Sequence, residues 1–327
     1  MERYEPPFEI TNRMLNRVSS ISEKLGRIET RRTLERQPHL RRNNRIQSVH
    51  SSLKIEANSL SLDSVRDVLN AREVIGPAKE IQEVKNAFAA YDQIDAVDSY
   101  SLDDLLRLHG VMTRLTVEES GMFRSGAEGV YRGGVCIHIA PPPEMVPPLM
   151  RQLFDWIAAR RGEIHPLILS SVFHYEFVFI HPFRDGNGRM ARLWQTALLS
   201  RWNPLFEYIP IESQIERFQD GYYDAIAVST SEGSATAFVE FMLDRIDEVL
   251  DRVIAQEHGG QTEQVKRLLA AMEYDTPYTA AALMRLLGLK SRDALRNNYL
   301  NPAIEEGLIQ MTVLDKPTSR NQRYIKI

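Results

Sequence analysis

The stretch from Leu167 to Ile180 limits what this chain can fold into more than any other. It is apolar on nearly every helical face, with His174 and Glu176 embedded in it. A surface helix keeps one polar side, so a helix that is apolar all round is one buried on all sides. A membrane span is excluded, because the run falls short of the ~18 apolar residues such a helix needs. The chain must therefore be mainly α, with its other helices packed around this one.

The flanking sequence supplies those helices. Met14, Leu15, Val18, Ile21, Leu25 and Ile28 recur at three- and four-residue spacing and predict helix between Ile10 and about Arg45. Ser61 with Asp63 in the next turn predicts a fresh helix start, and so does Ser101 with Asp103 and Asp104. Helices are also predicted over Ala78 to Ile94, Val146 to Ile157 and Phe218 to Leu250. Gly121 to Ile139 breaks the habit. It holds five glycines, and Val135, Ile137 and Ile139 then alternate with Cys136 and His138, which predicts a short strand or hairpin. Pro141, Pro142 and Pro143 end it.

At 327 residues the chain has room for two or three units, and its 43% apolar share can build real cores. Charge is unevenly placed. Residues 1–50 carry 11 Lys+Arg against 6 Asp+Glu and residues 263–327 carry 10 against 7, so a net charge of −4 leaves −12 for the middle. Such blocks point to different work for different parts of the chain. Gln256 to Thr262, polar with paired glycines, reads as the linker. The single cysteine, Cys136, excludes an internal disulfide framework and a cysteine zinc cluster, fits a reducing compartment and reads as a small buried hydrophobe. Glu2, Arg3, Glu5 and Glu9 leave no signal-peptide run, so a soluble, cytoplasmic protein with no membrane contact is expected.

The chemistry concentrates in the twelve residues His181-Pro182-Phe183-Arg184-Asp185-Gly186-Asn187-Gly188-Arg189-Met190-Ala191-Arg192. They leave a buried helix and enter another, so they form a loop feeding a helix N-terminus. Gly186 and Gly188 let backbone N–H groups approach an anion, and the helix adds its positive dipole end, a geometry that suits phosphate. Asp185 is a hard carboxylate of the kind that holds Mg²⁺ together with substrate phosphates. Arg189 and Arg192 lie three apart on one helix face and can clamp a polyphosphate. His181 titrates near neutrality, which makes it the natural general base.

This string resembles the signature of the Fic family, HPFxDGNGRxxR, at every fixed position, and the resemblance extends from about Ser51 to Leu250. It implies a helical core with a small β-hairpin flap and transfer of AMP from ATP to a Ser, Thr or Tyr hydroxyl of a target protein. Carried over, His181 would take the hydroxyl proton and Asp185 would hold Mg²⁺. Gly186, Asn187, Gly188 and Arg189 would bind the phosphates, and Arg192 would reach the γ-phosphate. Tyr223 lies where an aromatic ring could stack on adenine. The flap residues Val135, Cys136, Ile137, His138 and Ile139 would pair with a segment of the target. Ser52-Leu53-Lys54-Ile55-Glu56-Ala57-Asn58 looks like the family's inhibitory motif [S/T]xxxE[G/N], with Ala57 at the Gly or Asn position. Glu56 would then pair with Arg192 and block productive ATP binding.

Domains are expected at 1–95, a helical region with an inhibitory helix at about 50–58, at 96–255, the Fic catalytic domain, and at 263–327. In the last, a helix from Glu263, a helix over Thr279 to Leu287, a turn at Gly288, a helix capped by Ser291 and two strand-like runs, Ile309 to Leu314 and Arg323 to Ile327, resemble a winged helix-turn-helix. Such a module can bind DNA, with Lys316, Arg320 and Arg323 in its wing, or dock a protein. Two alternatives stay open: a DNA-binding regulator whose core senses nucleotide, and a Fic enzyme that removes AMP or transfers another phosphate-containing group. The sequence also leaves a homo-oligomer open.

Overall fold

Polar termini and apolar interiors divide the chain into the elements the sequence predicts, with a few shifts. The computed structural model describes residues 4–31, 38–132, 135–258, 262–273, 276–305, 308–313, 319 and 322–326. Two compact units are present, Met1–Ile254 and Ala255–Ile327.

The large unit contains, in chain order, α1 (Asn12–Arg31), α2 (Pro38–Ile55), α3 (Leu62–Leu69), α4 (Ala78–Tyr91), α5 (Leu102–Met112), β1 (Gly129–Arg132), β2 (Val135–Ile139), α6 (Val146–Ala159), α7 (Pro166–Ile180), α8 (Asn187–Trp202), α9 (Ile211–Arg217), α10 (Gln219–Glu232) and α11 (Thr236–His258). Helix predicted between Ile10 and Arg45 is present as α1 and the start of α2, with residues 32–37 outside the described residues. The stretch from Phe218 to Leu250 is two helices, because Gly233 takes φ 62° and ends α10 with a left-handed residue.

Every residue of α7 from Leu167 to Ile180 is buried except Phe179. Pro166 starts the helix without wasting a donor, and His165 accepts the Leu167 N–H. Its two embedded polar side chains are satisfied. His174 meets Gln195 Oε1 at 2.6 Å and Tyr222 Oη at 2.9 Å, and burial pushes its pKa down to about 3, so it stays neutral. Glu176 accepts the hydroxyl of Tyr4. Around them Trp156, Phe173, Phe177, Trp194 and Phe238 form a continuous aromatic core.

The hairpin is antiparallel, with Gly129 opposite Ile139 and Arg132 opposite Val135, and an irregularity between Val130 and Tyr131. Ile139 is exposed. The side chains of Val130 to His138 lie outside the described residues, and with them the expectation that Cys136 is a buried hydrophobe.

The small unit runs α12 (Glu263–Ala271), β3 (Pro277–Thr279), α13 (Ala280–Leu287), α14 (Arg292–Leu295), a π-helical turn (Arg296–Leu300), α15 (Asn301–Glu305), β4 (Ile309–Met311) and β5 (Arg323–Lys326). Its antiparallel sheet has the order β3-β5-β4, and its own core includes Val265, Leu268, Leu283, Leu295, Tyr299 and Ile309. The sequence reading missed β3, a three-residue strand too short to show alternation. Residues 259–261 of the expected linker, and Lys316 and Arg320 of the expected wing, lie outside the described residues. No helix among the described residues is long and apolar enough to cross a membrane.

Candidate functional site: a glycine loop at the head of a buried helix

The loop begins where α7 ends. His181 takes φ 51°, a left-handed conformation uncommon for a residue with a side chain, and its N–H still bonds Phe177 O at 3.0 Å. The chain turns back at Gly186, whose φ of 84° favours glycine, and enters α8 at Asn187. Asn187 locks the turn. Its Oδ1 accepts the Phe183 N–H at 2.9 Å and its Nδ2 donates to Phe183 O at 2.7 Å. Asn187 thus braces the loop from within. What the loop offers an anion is the row of backbone N–H groups that open α8.

Charged groups surround that opening in pairs. Asp185 Oδ1 accepts the Gly186 N–H at 2.5 Å and Arg189 Nη2 at 2.7 Å. Arg189 Nη1 also lies 3.6 Å from Glu83 Oε1, and Lys79 Nζ lies 3.9 Å from Asp185 Oδ2 and 4.0 Å from Glu83. Arg192 donates through Nη2 to Glu56 Oε1 at 2.8 Å and to Ser52 O at 2.9 Å, and through Nε to Ser52 Oγ at 3.1 Å. Burial, the largest single influence, lowers the Arg192 pKa, but the Glu56 carboxylate together with Tyr222 and Tyr91 turns the net direction up.

Two consequences follow. Arg189 Nε and Nη1 and Arg192 Nη1 are buried donors with no hydrogen-bond partner among the described residues. Glu56 also occupies the space above Gly188: a Cβ built there would overlap its Oε1 and lie 3.0 Å from Arg192 Nη1.

Glu56 is presented by the end of α2. Asn58 N–H bonds Leu53 O at 3.1 Å and Ala57 N–H bonds Lys54 O at 3.0 Å, the paired closure of a Schellman end, with Ala57 at φ 63° in the position that favours glycine. The end is tied down by Gln219 Nε2 to Ile55 O at 3.1 Å, Ser51 Oγ to Glu216 at 2.6 Å and Lys54 to Glu216 at 2.8 Å.

Sequence reasoning missed four residues here: Lys79 and Glu83 on α4, His109 on α5 and Arg124 in the loop before the hairpin. Each reaches the site from a segment far away in sequence, and no spacing rule marks it. His109 Nδ1 accepts the Gly121 N–H at 3.0 Å, so its Nε2 carries the proton and donates to Asp185 O at 3.1 Å. Its ring stacks on Phe183 at 3.6 Å, and burial pushes its pKa down to about 4. Of the two tyrosines singled out on α10, Tyr222 is core and Tyr223 is half-buried, edge-on to Tyr222 at 5.4 Å. No group of three His, Cys, Asp or Glu among the described residues could hold a metal alone.

The chain is similar to known proteins in sequence and fold. Residues 99–199 match the model of the Fic/DOC family, and residues 263–325 match the model of the "Filamentation induced by cAMP protein Fic-like, C-terminal domain". The protein adenylyltransferase Fic of Aedes aegypti is 33% identical over 215 residues, which is 63% of this chain and 41% of that protein. This chain thus spans about two fifths of that relative's length. Fic-1 of C. elegans (residues 134–508) is 22% identical, with a TM-score of 0.64 over 76% of this chain and 74% of that one, a likeness of fold alone. The crystal structure of a Fic family protein from Desulfovibrio desulfuricans superposes with a TM-score of 0.75 at 44% identity, over 99% of this chain and 98% of that one. With the helical core, the hairpin and the signature loop all in place, the chain belongs to the Fic family.

Proposed function

We propose that this chain moves AMP from ATP to a hydroxyl side chain of a target protein. The observation that carries the reading is the set of buried guanidinium donors, Arg189 Nε and Nη1 and Arg192 Nη1, bordering the N-terminus of α8 with no hydrogen-bond partner among the described residues. Buried donors without acceptors cost ~1–3 kcal/mol each, and a polyphosphate would satisfy them. The name of the Aedes relative, a protein adenylyltransferase, supplies the reaction class.

In this reading His181 accepts the proton of the target Ser, Thr or Tyr hydroxyl as its oxygen attacks the α-phosphorus. The bond from that phosphorus to the oxygen bridging the β-phosphate breaks, and pyrophosphate leaves. Gly186, Gly188 and the α8 N–H groups receive the phosphates, Arg189 neutralises the charge there and Arg192 takes the γ-phosphate. Tyr223 offers its ring to the adenine, and the hairpin edge from Val135 to Ile139 offers backbone groups to the target. Mg²⁺ fits Asp185: Oδ1 is hydrogen-bonded, Oδ2 meets the Lys79 ammonium at 3.9 Å, and phosphates and water would complete the shell. When bound, the ion would neutralise the phosphates.

Glu56 acts as a brake. Its carboxylate engages the arginine meant for the γ-phosphate and fills the space over Gly188 that a phosphate needs. Incubation with Mg²⁺ and ATP labelled at the α- or γ-phosphate tests the reading, with Glu56→Gly as the released form. The expected result is label retained on protein from the α position alone and lost with His181→Ala. Retention from the γ position would mean another group is transferred.

A second reading concerns the small unit, and the exposure of Arg292, Arg296, Asn297 and Asn298 at the start of the helix following the Gly288 turn supports it. Arg and Asn are the side chains that read guanine and adenine edges, and the unit would place them in a DNA major groove. Binding of a duplex that weakens steeply with salt and is lost in Arg292→Ala/Arg296→Ala is the expected result. Salt-insensitive or absent binding would leave the unit as a protein-docking module.

A further inference from the structure

Arg124 lies outside the signature and plays no part in the transfer as set out above, yet it is almost completely buried, with 3% of its surface exposed. All three nitrogen positions of its guanidinium donate to backbone carbonyls. Nε reaches His181 O at 2.8 Å, Nη1 reaches Gly126 O at 2.7 Å and Nη2 reaches Pro141 O at 2.5 Å. Its own N–H bonds Pro182 O at 3.0 Å. The three carbonyls come from the end of α7, from Arg124's own loop and from the residue two places beyond β2. Three residues before Arg124, the Gly121 N–H holds His109, which holds Asp185 O. The segment 121–126 therefore grips the signature loop at both ends.

His181 is the point where this grip matters. A left-handed residue with a side chain is strained and persists only where its surroundings hold it. Its carbonyl lies just past the negative end of α7, where a fixed cation is favoured. A planar guanidinium can serve three carbonyls in fixed directions. An ammonium on a flexible stem cannot.

We propose that Arg124 is a positioning residue that holds His181 in its left-handed conformation and ties that conformation to the foot of the hairpin. Docking of a target strand on the hairpin and orientation of the His181 imidazole are then coupled through one side chain. The proposal rests on the transfer reading for its consequence in activity, but its geometry can be tested without it.

The test uses the full chain carrying Glu56→Gly. Arg124→Lys and Arg124→Ala are each added, and pyrophosphate release from Mg²⁺-ATP, label incorporation from α-labelled ATP into the protein itself, thermal midpoint and the His181 imidazole NMR signal are measured. The His181 signal is assigned by its loss in His181→Asn. Arg124→Lys should lower kcat by about 10-fold to 100-fold, leave KM for ATP within about threefold and shift the His181 signal while the fold stays intact. Added methylguanidinium should restore part of the Arg124→Ala activity. A kcat for Arg124→Lys within twofold of its parent would overturn the proposal. So would a loss of activity accompanied by an equal loss of folded protein. If the Glu56→Gly parent transfers nothing, the transfer reading falls and the NMR signal alone decides: a shift supports Arg124 as the positioning group, and an unmoved signal overturns it.

Discussion

Ala57 stands where the inhibitory motif that this segment resembles has Gly or Asn. It occupies the left-handed position of the Schellman end of α2, where the Cβ is disfavoured. Glycine relieves that strain at some cost in chain entropy, for a net gain of ~0.5–1 kcal/mol. Ala57→Gly is therefore expected to raise the denaturant midpoint and, by steadying Glu56 on Arg192, to lower basal label incorporation by about threefold to fivefold. An unchanged midpoint would show that the α2 end bears no strain. The same scale shows what could be read in advance. That Asp185, Arg189 and Arg192 lie close together was legible from their spacing in the signature, and the pairing of Glu56 with Arg192 from the resemblance of its segment to the inhibitory motif. The bracing by Asn187 was not legible, because spacing cannot show which amides also fold back on their own loop. Arg124 and His109 were invisible, since their partners are carbonyls brought together only by the fold.

At the scale of elements, two buried histidines join helices and loops in their neutral forms. His174 links α7 to α8 and α10, and His109 links α5 to the signature loop. Their pKa values are pushed down to about 3 and about 4 by burial, so the unfolded chain takes up protons that the folded chain refuses. The stability they permit is complete above the unfolded value near 6.5 and is lost as pH falls from there toward 4, roughly 3 kcal/mol for His109. Urea midpoints measured from pH 7.5 to 4.5 should fall with that slope, and a flat profile would contradict neutral burial. Asn187→Ala should destabilise by ~1–3 kcal/mol, read from the same urea curves, because it leaves both Phe183 backbone groups unpaired. Element types were largely legible, α7 above all. Breaks were less so: Gly233 carries a helix end that the apolar periodicity runs straight through.

For the whole molecule, the uneven charge acquires partners. Within the basic N-terminal region, Arg13, Arg17 and Lys24 on α1 pair with Glu240, Asp244, Asp247 and Asp251 on α11. At the signature loop Arg189, Arg192 and Lys79 face Asp185, Glu83 and Glu56. Because each unit has its own core, calorimetry of the full chain should resolve two transitions, and a single cooperative one would show that the units unfold together. In the proposed reading the Glu56 carboxylate on Arg192 closes the site to nucleotide, and its removal should open it. The most direct measurement is label incorporation from α-labelled ATP by the parent and by Glu56→Gly under identical Mg²⁺. The structure leads us to expect at least a ~10-fold increase in the variant, as the freed Arg192 takes up the γ-phosphate. Equal incorporation by the two proteins would contradict it.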